Sequence, residues 1–313
     1  PGELDDGACG MTRLRQSCGQ AYVITVLFLS FVLVGMTAAV LDVGSWFRAD
    51  RALQATVDAA ALAGAQALPD DPGQATALAL QYANKNGGGI SAGDVTISTT
   101  VTPFDTIKVD GTRPAPGFFA KIFGIDTVTV GAEAKARTGT PESARWAAPI
   151  TVDWLHPLLQ CTPLPCFEQE TTLELEKVGP GAFRLINLDS SQGGTGPPIL
   201  AEWIRQGFDG WMPLGEYYSD PGVKFNSSQI RDALDERLGS EMLFPVYDDT
   251  QGGGANFQYR VIGWVGFYIT SYTIQGSKMN QIHGHFTQVI WEGIQNESVG
   301  NIDFGVRAVS LIE

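Results

Sequence analysis

Histidines and cysteines are the residues best suited to chemistry in this chain, and most of them lie in its second half. The three histidines are His156, His283 and His285. The last two are separated by one glycine, so a strand would place both imidazole rings on one face. Two imidazoles so arranged can hold a metal ion. A third ligand at a suitable spacing is not evident, so the pair is interpreted as two surface side chains at a hairpin, and no cofactor is expected.

Cys161 and Cys166 enclose a Thr-Pro-Leu-Pro segment, in which two prolines hold a short loop. This spacing favours a local disulfide in an oxidising compartment. A metal site is the alternative, but it would need a second pair of ligands, and no other cysteine lies in this half of the chain. Cys9 and Cys18 precede a long apolar segment and are expected to be free thiols.

Signatures of catalysis are missing from the sequence. It contains no glycine-rich phosphate loop, nucleophile elbow or zincin helix. Asp189, Ser190 and Ser191 follow an apolar stretch in a pattern that resembles the metal-ion adhesion site of von Willebrand A domains, but Gly193 stands where that site has a further hydroxyl. The segment is therefore interpreted as a strand ending in a polar turn, and the protein is not expected to be an enzyme.

The charge of the chain excludes one class of partner. Its 313 residues carry a formal net charge of −14, and the sequence pI is near 4.6. Nucleic acid is not an expected partner, because few basic groups are present to neutralise phosphates. Residues 138–313 carry most of the acidic excess, which predicts a solvated acidic body in this part of the chain.

The elements that position these residues begin with an apolar run at 20–41 that contains no charged residue. Twenty-two helical residues span about 33 Å, enough to cross the hydrocarbon core of a bilayer. Arg13 and Arg15 precede the run, which predicts a single-pass membrane protein with a short cytoplasmic segment at 1–19 and residues 42–313 outside. The alternative is a cleaved signal peptide, although the run is longer than such peptides usually have.

The helical pattern continues to about residue 68, because no proline occurs between residues 20 and 69. A narrow polar stripe runs through Asp50, Gln54 and Asp58. Opposite it lies a face of small residues that would let another helix approach closely, namely Ala52, Ala55, Ala59 and Ala63. This face is predicted to pack either against the protein's own domain or against neighbouring subunits.

The segment from residue 19 to residue 68 resembles the amino-terminal region of TadE/TadG-like proteins of the Tad (Flp) pilus assembly system. The pattern is a glycine before the apolar helix, Asp-x-Gly at its exit, and an Arg-x-Leu-Gln-x-x-x-Asp-Ala-Ala-Ala-Leu-Ala continuation. The matching positions are Gly19, Asp42, Gly44, Arg51, Gln54, Asp58, Ala59, Ala60, Ala61, Leu62 and Ala63. The resemblance extends more loosely to residue 137. It implies a pilin-like membrane subunit, with partners among other pilus-assembly subunits or copies of itself.

The remaining pattern predicts an α+β fold in which two units follow the helix (20–68). Residues 69–137 read as a small platform with a helix at 72–86 and strands near 95–101, 107–110 and 127–136. Residues 138–143 read as a linker. Residues 138–313 read as a β-rich mixed domain, with strands at 172–177, 183–188, 259–269 and 285–291 and helices at 199–206 and 227–238.

These observations favour a non-enzymatic, pilin-like envelope subunit anchored in the cell membrane. Two other classes remain open. An anchored adhesin or glycan-binding module would show an exposed aromatic patch on residues 138–313. An anchored metal-dependent hydrolase would gather His283, His285 and carboxylates in a pocket.

Overall fold

The computed structural model describes residues 11–161, 166–175, 182–221, 224–275, 279–296 and 301–312, and only the main chain of residues 11–21, 182, 183, 255, 275 and 279. The first element is α1 (Met11–Ala65), 55 residues long. At 1.5 Å per residue it extends for about 80 Å. The predicted uninterrupted helix is confirmed, although it begins inside the segment predicted as a short amino-terminal stretch (1–19) and ends three residues before Leu68.

A small α/β layer packs on the second half of α1. It contains α2 (Pro72–Lys85), β1 (Val95–Ser98), β2 (Thr106–Pro116) and β3 (Thr127–Gly139). The Asp71 carboxylate accepts the Gln74 N–H at 2.8 Å, and Pro72 occupies the first turn, so α2 starts as its sequence predicts. The three strands pair antiparallel in the order β1, β2, β3.

The β2–β3 hairpin lies close against α1, and its first strand, β2, runs antiparallel to the helix. A Cβ on Gly64 would come within 2.5 Å of the Ile107 side chain, and one on Gly111 within 2.8 Å of Val57. These glycines therefore permit the close approach of helix and hairpin. The core between them consists largely of alanine and β-branched residues, including Val57, Ala60, Ala61, Ala75, Ala79, Ile107, Val109, Ala134 and Ala136.

The second body is β-rich and contains two helices among its described residues. Its helices are α3 (Pro197–Gln206) and α4 (Ser228–Arg237). Its strands are β4 (Pro141–Ala144), β5 (Val152–Asp153), β6 (Glu170–Glu174), β7 (Ala182–Ile186), β8 (Met212–Pro213), β9 (Gly215–Pro221), β10 (Glu241–Gln251), β11 (Gln258–Gln275), β12 (Met279–Thr287), β13 (Val289–Ile290), β14 (Gly293–Gln295) and β15 (Val306–Ile312).

A curved half-barrel sheet forms the centre of this body, with the order β5, β10, β11, β12, β6. One edge of the long strand β11 pairs with β9 along its first part and with β12 along its second part, and the other edge pairs with β10. Within the core, the Phe267 ring stacks on Phe244 with centroids 5.6 Å apart and meets Phe286 edge to face at 5.3 Å. The molecule is thus a long apolar helix followed by a mixed α/β body with several sheets, as the fold class predicted.

The last strand of the chain returns to the first layer. Strand β15 pairs antiparallel with β3, and β13 pairs parallel with β15, so the platform sheet has the order β1, β2, β3, β15, β13. The linker prediction for residues 138–143 is wrong, because Thr138 is buried in β3 and Ser143 in β4. Within this segment β3 ends at Gly139 and β4 begins at Pro141, so Thr140 alone separates the two strands.

Candidate functional site: the amino-terminal helix and its exposed faces

The first half of α1 is bare, in the sense that no other described part of the protein covers its side chains. From Tyr22 to Leu41 the apolar side chains are exposed almost throughout, and Phe31 in the middle of the run is 81% exposed. No part of the most hydrophobic 18-residue window is buried inside the protein. A helix that is apolar on every side is stable where lipid surrounds it. This half of α1 is therefore suited to a membrane anchor, and a signal sequence has the same character.

The second half of α1 has one buried face and one open face. Leu53, Val57 and Ala60 are fully buried against the platform. Of the four alanines predicted to pack against another helix, Ala52 and Ala55 are exposed, Ala59 is half-buried and Ala63 is buried. The structure thus leaves a stripe of small side chains open at positions 52, 55 and 59, which we call the alanine stripe. Contact with a partner through it stays a prediction.

The polar stripe on α1 faces the platform sheet. The Gln54 amide donates to the Asp58 carboxylate at 2.8 Å and to the Glu133 carbonyl oxygen on β3 at 2.9 Å. Helical spacing shows that these polar residues share a face, but the β3 carbonyl that binds one of them comes from a segment 79 residues away. The stripe therefore helps to fix the hairpin on the helix.

Asp42 joins α1 to the tip of the β2–β3 hairpin. Its carboxylate is 3% exposed and accepts the backbone N–H groups of Phe118 at 2.8 Å, Phe119 at 3.0 Å and Ala120. One turn later the Trp46 indole N–H donates to the Pro116 carbonyl oxygen at 3.2 Å. In the sequence Asp42 is the first charged residue after the apolar run and the first position of the Asp-x-Gly pattern, but its partners depend on the tertiary fold.

The histidine pair on β12 has separate polar partners. His283 lies with its Nδ1 2.9 Å from the Thr172 hydroxyl and its Nε2 3.3 Å from the Thr273 hydroxyl. His285 lies with its Nε2 3.2 Å from a carboxylate oxygen of Glu168, which is mostly exposed. Among the residues that the structure describes, no group of three or more His, Cys, Asp or Glu side chains could hold a metal ion.

A small cavity of about 220 Å³ opens beside His156. Burial lowers the pKa of His156, and the nearby Arg184 guanidinium lowers it further. Arg184 donates to the Tyr247 hydroxyl at 3.1 Å, and that hydroxyl donates to the Asp153 carboxylate at 3.2 Å. Neither member of the His-Gly-His pair lines this cavity, so it does not gather the groups that the hydrolase interpretation requires.

Cys161 and Cys166 are joined by a disulfide, with their Cα atoms 5.9 Å apart. The Cys166 backbone N–H donates to the Leu158 carbonyl oxygen at 2.8 Å, which ties the loop to the short helical turn before it. The bond closes a local loop of the second body and lies outside the helix that carries the anchor and the alanine stripe.

An exposed aromatic residue does occur on the second body. The Trp211 side chain is 46% exposed, and the Arg145 guanidinium lies 5.6 Å from its ring centroid and 4.8 Å from that of Trp146. Arg145 also pairs with Glu292 at 3.0 Å and with Asp209. The guanidinium thus lies over one face of each ring. The cluster forms a cation–π and ion-pair network on the surface.

Comparison with known proteins adds one match. Residues 19–67 match the family model described as "Putative Flp pilus-assembly TadE/G-like". The match covers α1 from just before the apolar run to its end, and therefore includes both the bare half and the alanine stripe. No curated protein and no solved structure is significantly similar to the chain.

Proposed function

We propose that this protein is a non-enzymatic, pilin-like subunit that α1 anchors in the cell membrane and that assembles with components of a Tad (Flp)-type pilus. The observation that carries the proposal is the division of α1, within the TadE/G-like segment, into a bare apolar half and a half with one open small-residue face. The first half suits lipid, and the second suits another helix.

In this anchored arrangement, the platform and the second body lie on one side of the bilayer. Arg13 and Arg15 precede the apolar run and Arg48 and Arg51 follow it, so the proposed orientation, a cytoplasmic amino terminus with residues 42–313 outside, does not rest on the number of flanking arginines. The disulfide between Cys161 and Cys166 supports the same direction, since such bonds persist in oxidising compartments. In this orientation the acidic second body is displayed outside the cell membrane.

The alanine stripe provides the lateral contact in this proposal. Exposed alanines on one helical face let a second helix approach to about 8 Å between axes. The partner is another pilus-assembly subunit or a second copy of this chain. Enlarging two of these alanines should force the helices apart and weaken association by about 1–3 kcal/mol per contact through overpacking.

The test compares two enlargements of exposed alanines. Ala52→Leu combined with Ala55→Leu should reduce co-isolation with other pilus-assembly subunits from detergent-solubilised membranes. Ala77→Leu, an exposed alanine on α2, is the matched control and should leave co-isolation unchanged. Thermal unfolding should be similar in both variants, because neither site is buried. Unchanged assembly in the double variant would contradict the subunit role of this face.

A further inference from the structure

The loop that joins β2 to β3 exposes an apolar surface that no other described residue covers. Residues 117–125 read Gly-Phe-Phe-Ala-Lys-Ile-Phe-Gly-Ile, and most of their large side chains are exposed. Ile122 is 80% exposed and Phe123 is 84% exposed. Soluble proteins rarely expose so many large apolar side chains next to one another. Such patches usually mark contact with another protein or with a membrane.

The position of this loop is fixed by its contacts with α1. Along the helix, Gly64 lies beside Ile107 near the start of β2, and Trp46 binds the Pro116 carbonyl oxygen at its end. The hairpin therefore descends α1 towards the bare half. It stops at Asp42, which holds the first three N–H groups of the loop's apolar turn.

Asp42 is also the residue at which the uncharged run of α1 ends. A carboxylate is disfavoured inside hydrocarbon, so in an anchored protein it lies at or beyond the boundary of the bilayer. Hydrogen bonds from the loop satisfy its oxygens there. The loop is consequently held at the height where the helix leaves the membrane.

We propose that residues 117–125 form a second membrane contact, in which Phe118, Ile122 and Phe123 enter the interfacial layer of the outer leaflet beside α1. Phenylalanine and aliphatic side chains bury at the boundary between lipid headgroups and acyl chains, and Lys121, the single charged residue of the loop, can bind lipid phosphates there. The inference rests on the anchoring role proposed for α1. It adds that two contacts, helix and loop, fix the rotation of α1 and so the direction in which the alanine stripe faces.

The experiment places one environment-sensitive fluorophore at each of three sites in the full chain. Cys9→Ser and Cys18→Ser remove the two thiols that precede the apolar run, and the other two cysteines are joined to each other. Phe123→Cys then reports on the loop, and Phe31→Cys on the middle of the apolar run. Phe104→Cys is the matched control, because Phe104 is an exposed phenylalanine at the far end of β2, about 35 Å from the loop.

Each labelled protein is reconstituted in vesicles of phosphatidylethanolamine and phosphatidylglycerol that carry nitroxide-labelled lipids. We expect blue-shifted emission and loss of fluorescence to the lipid nitroxides at positions 31 and 123, with the shallow nitroxide acting more strongly at 123. The label at position 104 should emit as in water and be quenched by soluble iodide alone.

The outcomes separate this inference from the function on which it rests. Lipid quenching at position 31 with a water-like label at 123 would overturn the loop contact and leave the anchor intact. A blue-shifted label at 123 that lipid nitroxides do not quench, and that depends on protein concentration, would assign the loop to a second copy and also overturn the inference. A water-like label at 31 would contradict the anchoring itself.

Discussion

At the scale of single residues, buried carboxylates that accept several backbone N–H groups fix the turns of the platform. Asp105, 1% exposed, follows the turn between β1 and β2 and accepts the N–H groups of Thr100 at 2.8 Å, Val101 at 2.7 Å and Thr102 at 2.9 Å. The Thr106 hydroxyl also donates to it at 2.8 Å. Burial alone would raise the pKa of Asp105, but these donors outweigh burial and leave the pKa below its ordinary value.

Replacing this carboxylate should change stability in a pH-dependent way. Asp105→Asn puts an amide N–H₂ where N–H donors converge, so we expect a loss of about 1–3 kcal/mol in the free energy of unfolding at neutral pH. Because the folded pKa is lowered, the carboxylate stabilises the fold above its unfolded pKa of about 4 and stops doing so as the pH falls through the folded value. The wild-type and variant stabilities should therefore converge in acid.

Urea unfolding between neutral and acidic pH measures this convergence. Asp126→Asn, at an exposed carboxylate near the other end of the hairpin, is the control and should change stability little. A gap between Asp105→Asn and wild type that stays constant down to acidic pH would contradict the role of the charge.

The same residues show what sequence can and cannot predict at this scale. Asp71 was predictable as the cap of α2, because its partner Gln74 is three residues away and the proline between them marks the helix start. The loop N–H groups that bind Asp42 and the β3 carbonyl oxygen that binds Gln54 lie 76 to 79 residues away. Local spacing carries no information about such contacts, so the junction between α1 and the hairpin emerges only in the folded chain.

At the scale of elements, the length of α1 was predictable and the central strand of the second body was not. A proline-free stretch rich in helix formers leaves few alternatives to helix. Strand β10 contains Met242, Leu243, Phe244, Pro245 and Val246 without polar alternation, and a proline in a strand argues against a central position. The strand is nevertheless central, because both its faces are buried and β5 and β11 flank it.

The contact of α1 with the platform gives a prediction for two glycines of the same helix. A Cβ at Gly64 would lie 2.5 Å from the Ile107 side chain and 2.9 Å from the Ala75 carbonyl oxygen, whereas one at Gly44 meets nothing within 4 Å. Gly64→Ala should therefore cost about 1–3 kcal/mol in the free energy of unfolding through overpacking, despite the better helix propensity of alanine.

Gly44→Ala is the matched change in the open part of α1. It should leave the free energy of unfolding unchanged or raise it by up to about 1 kcal/mol, because alanine favours the helix and nothing opposes its methyl group. Thermal unfolding in detergent, followed by circular dichroism, compares the two variants. Equal stability of the Gly64 and Gly44 variants would show that helix and hairpin do not pack as closely as the structure has them.

At the scale of the whole molecule, strand β15 connects the platform to the second body. Val306 belongs to the core of the second body, whereas Val309 packs against the core between α1 and the platform. The pairing of β15 with β3 joins segments about 170 residues apart, which no local pattern could predict. The sequence therefore predicts the platform helix and its first three strands, but not the strand that extends its sheet.

A buried glutamine fastens this junction. The Gln295 amide N–H₂ on β14 donates to the carbonyl oxygens of Arg137 at 2.6 Å and Ala308 at 2.9 Å, and its oxygen accepts from the Arg137 side chain at 2.8 Å. These bonds tie β14 to β3 and β15. Two cores that share one strand and this set of hydrogen bonds should unfold together, with comparable protection of their strands from hydrogen exchange.

Gln295→Ala tests this coupling in the full chain. The change leaves buried hydrogen-bonding groups unpaired and should cost about 1–3 kcal/mol in the free energy of unfolding. Hydrogen exchange followed by mass spectrometry should then show protection falling by a similar factor in peptides from β2 and from β11, because the cores unfold as one unit. Gln281→Ala, which removes an exposed bond to Glu174 on the half-barrel sheet, should leave both nearly unchanged. Protection lost in the platform peptides alone would mean that the second body is an independent unit.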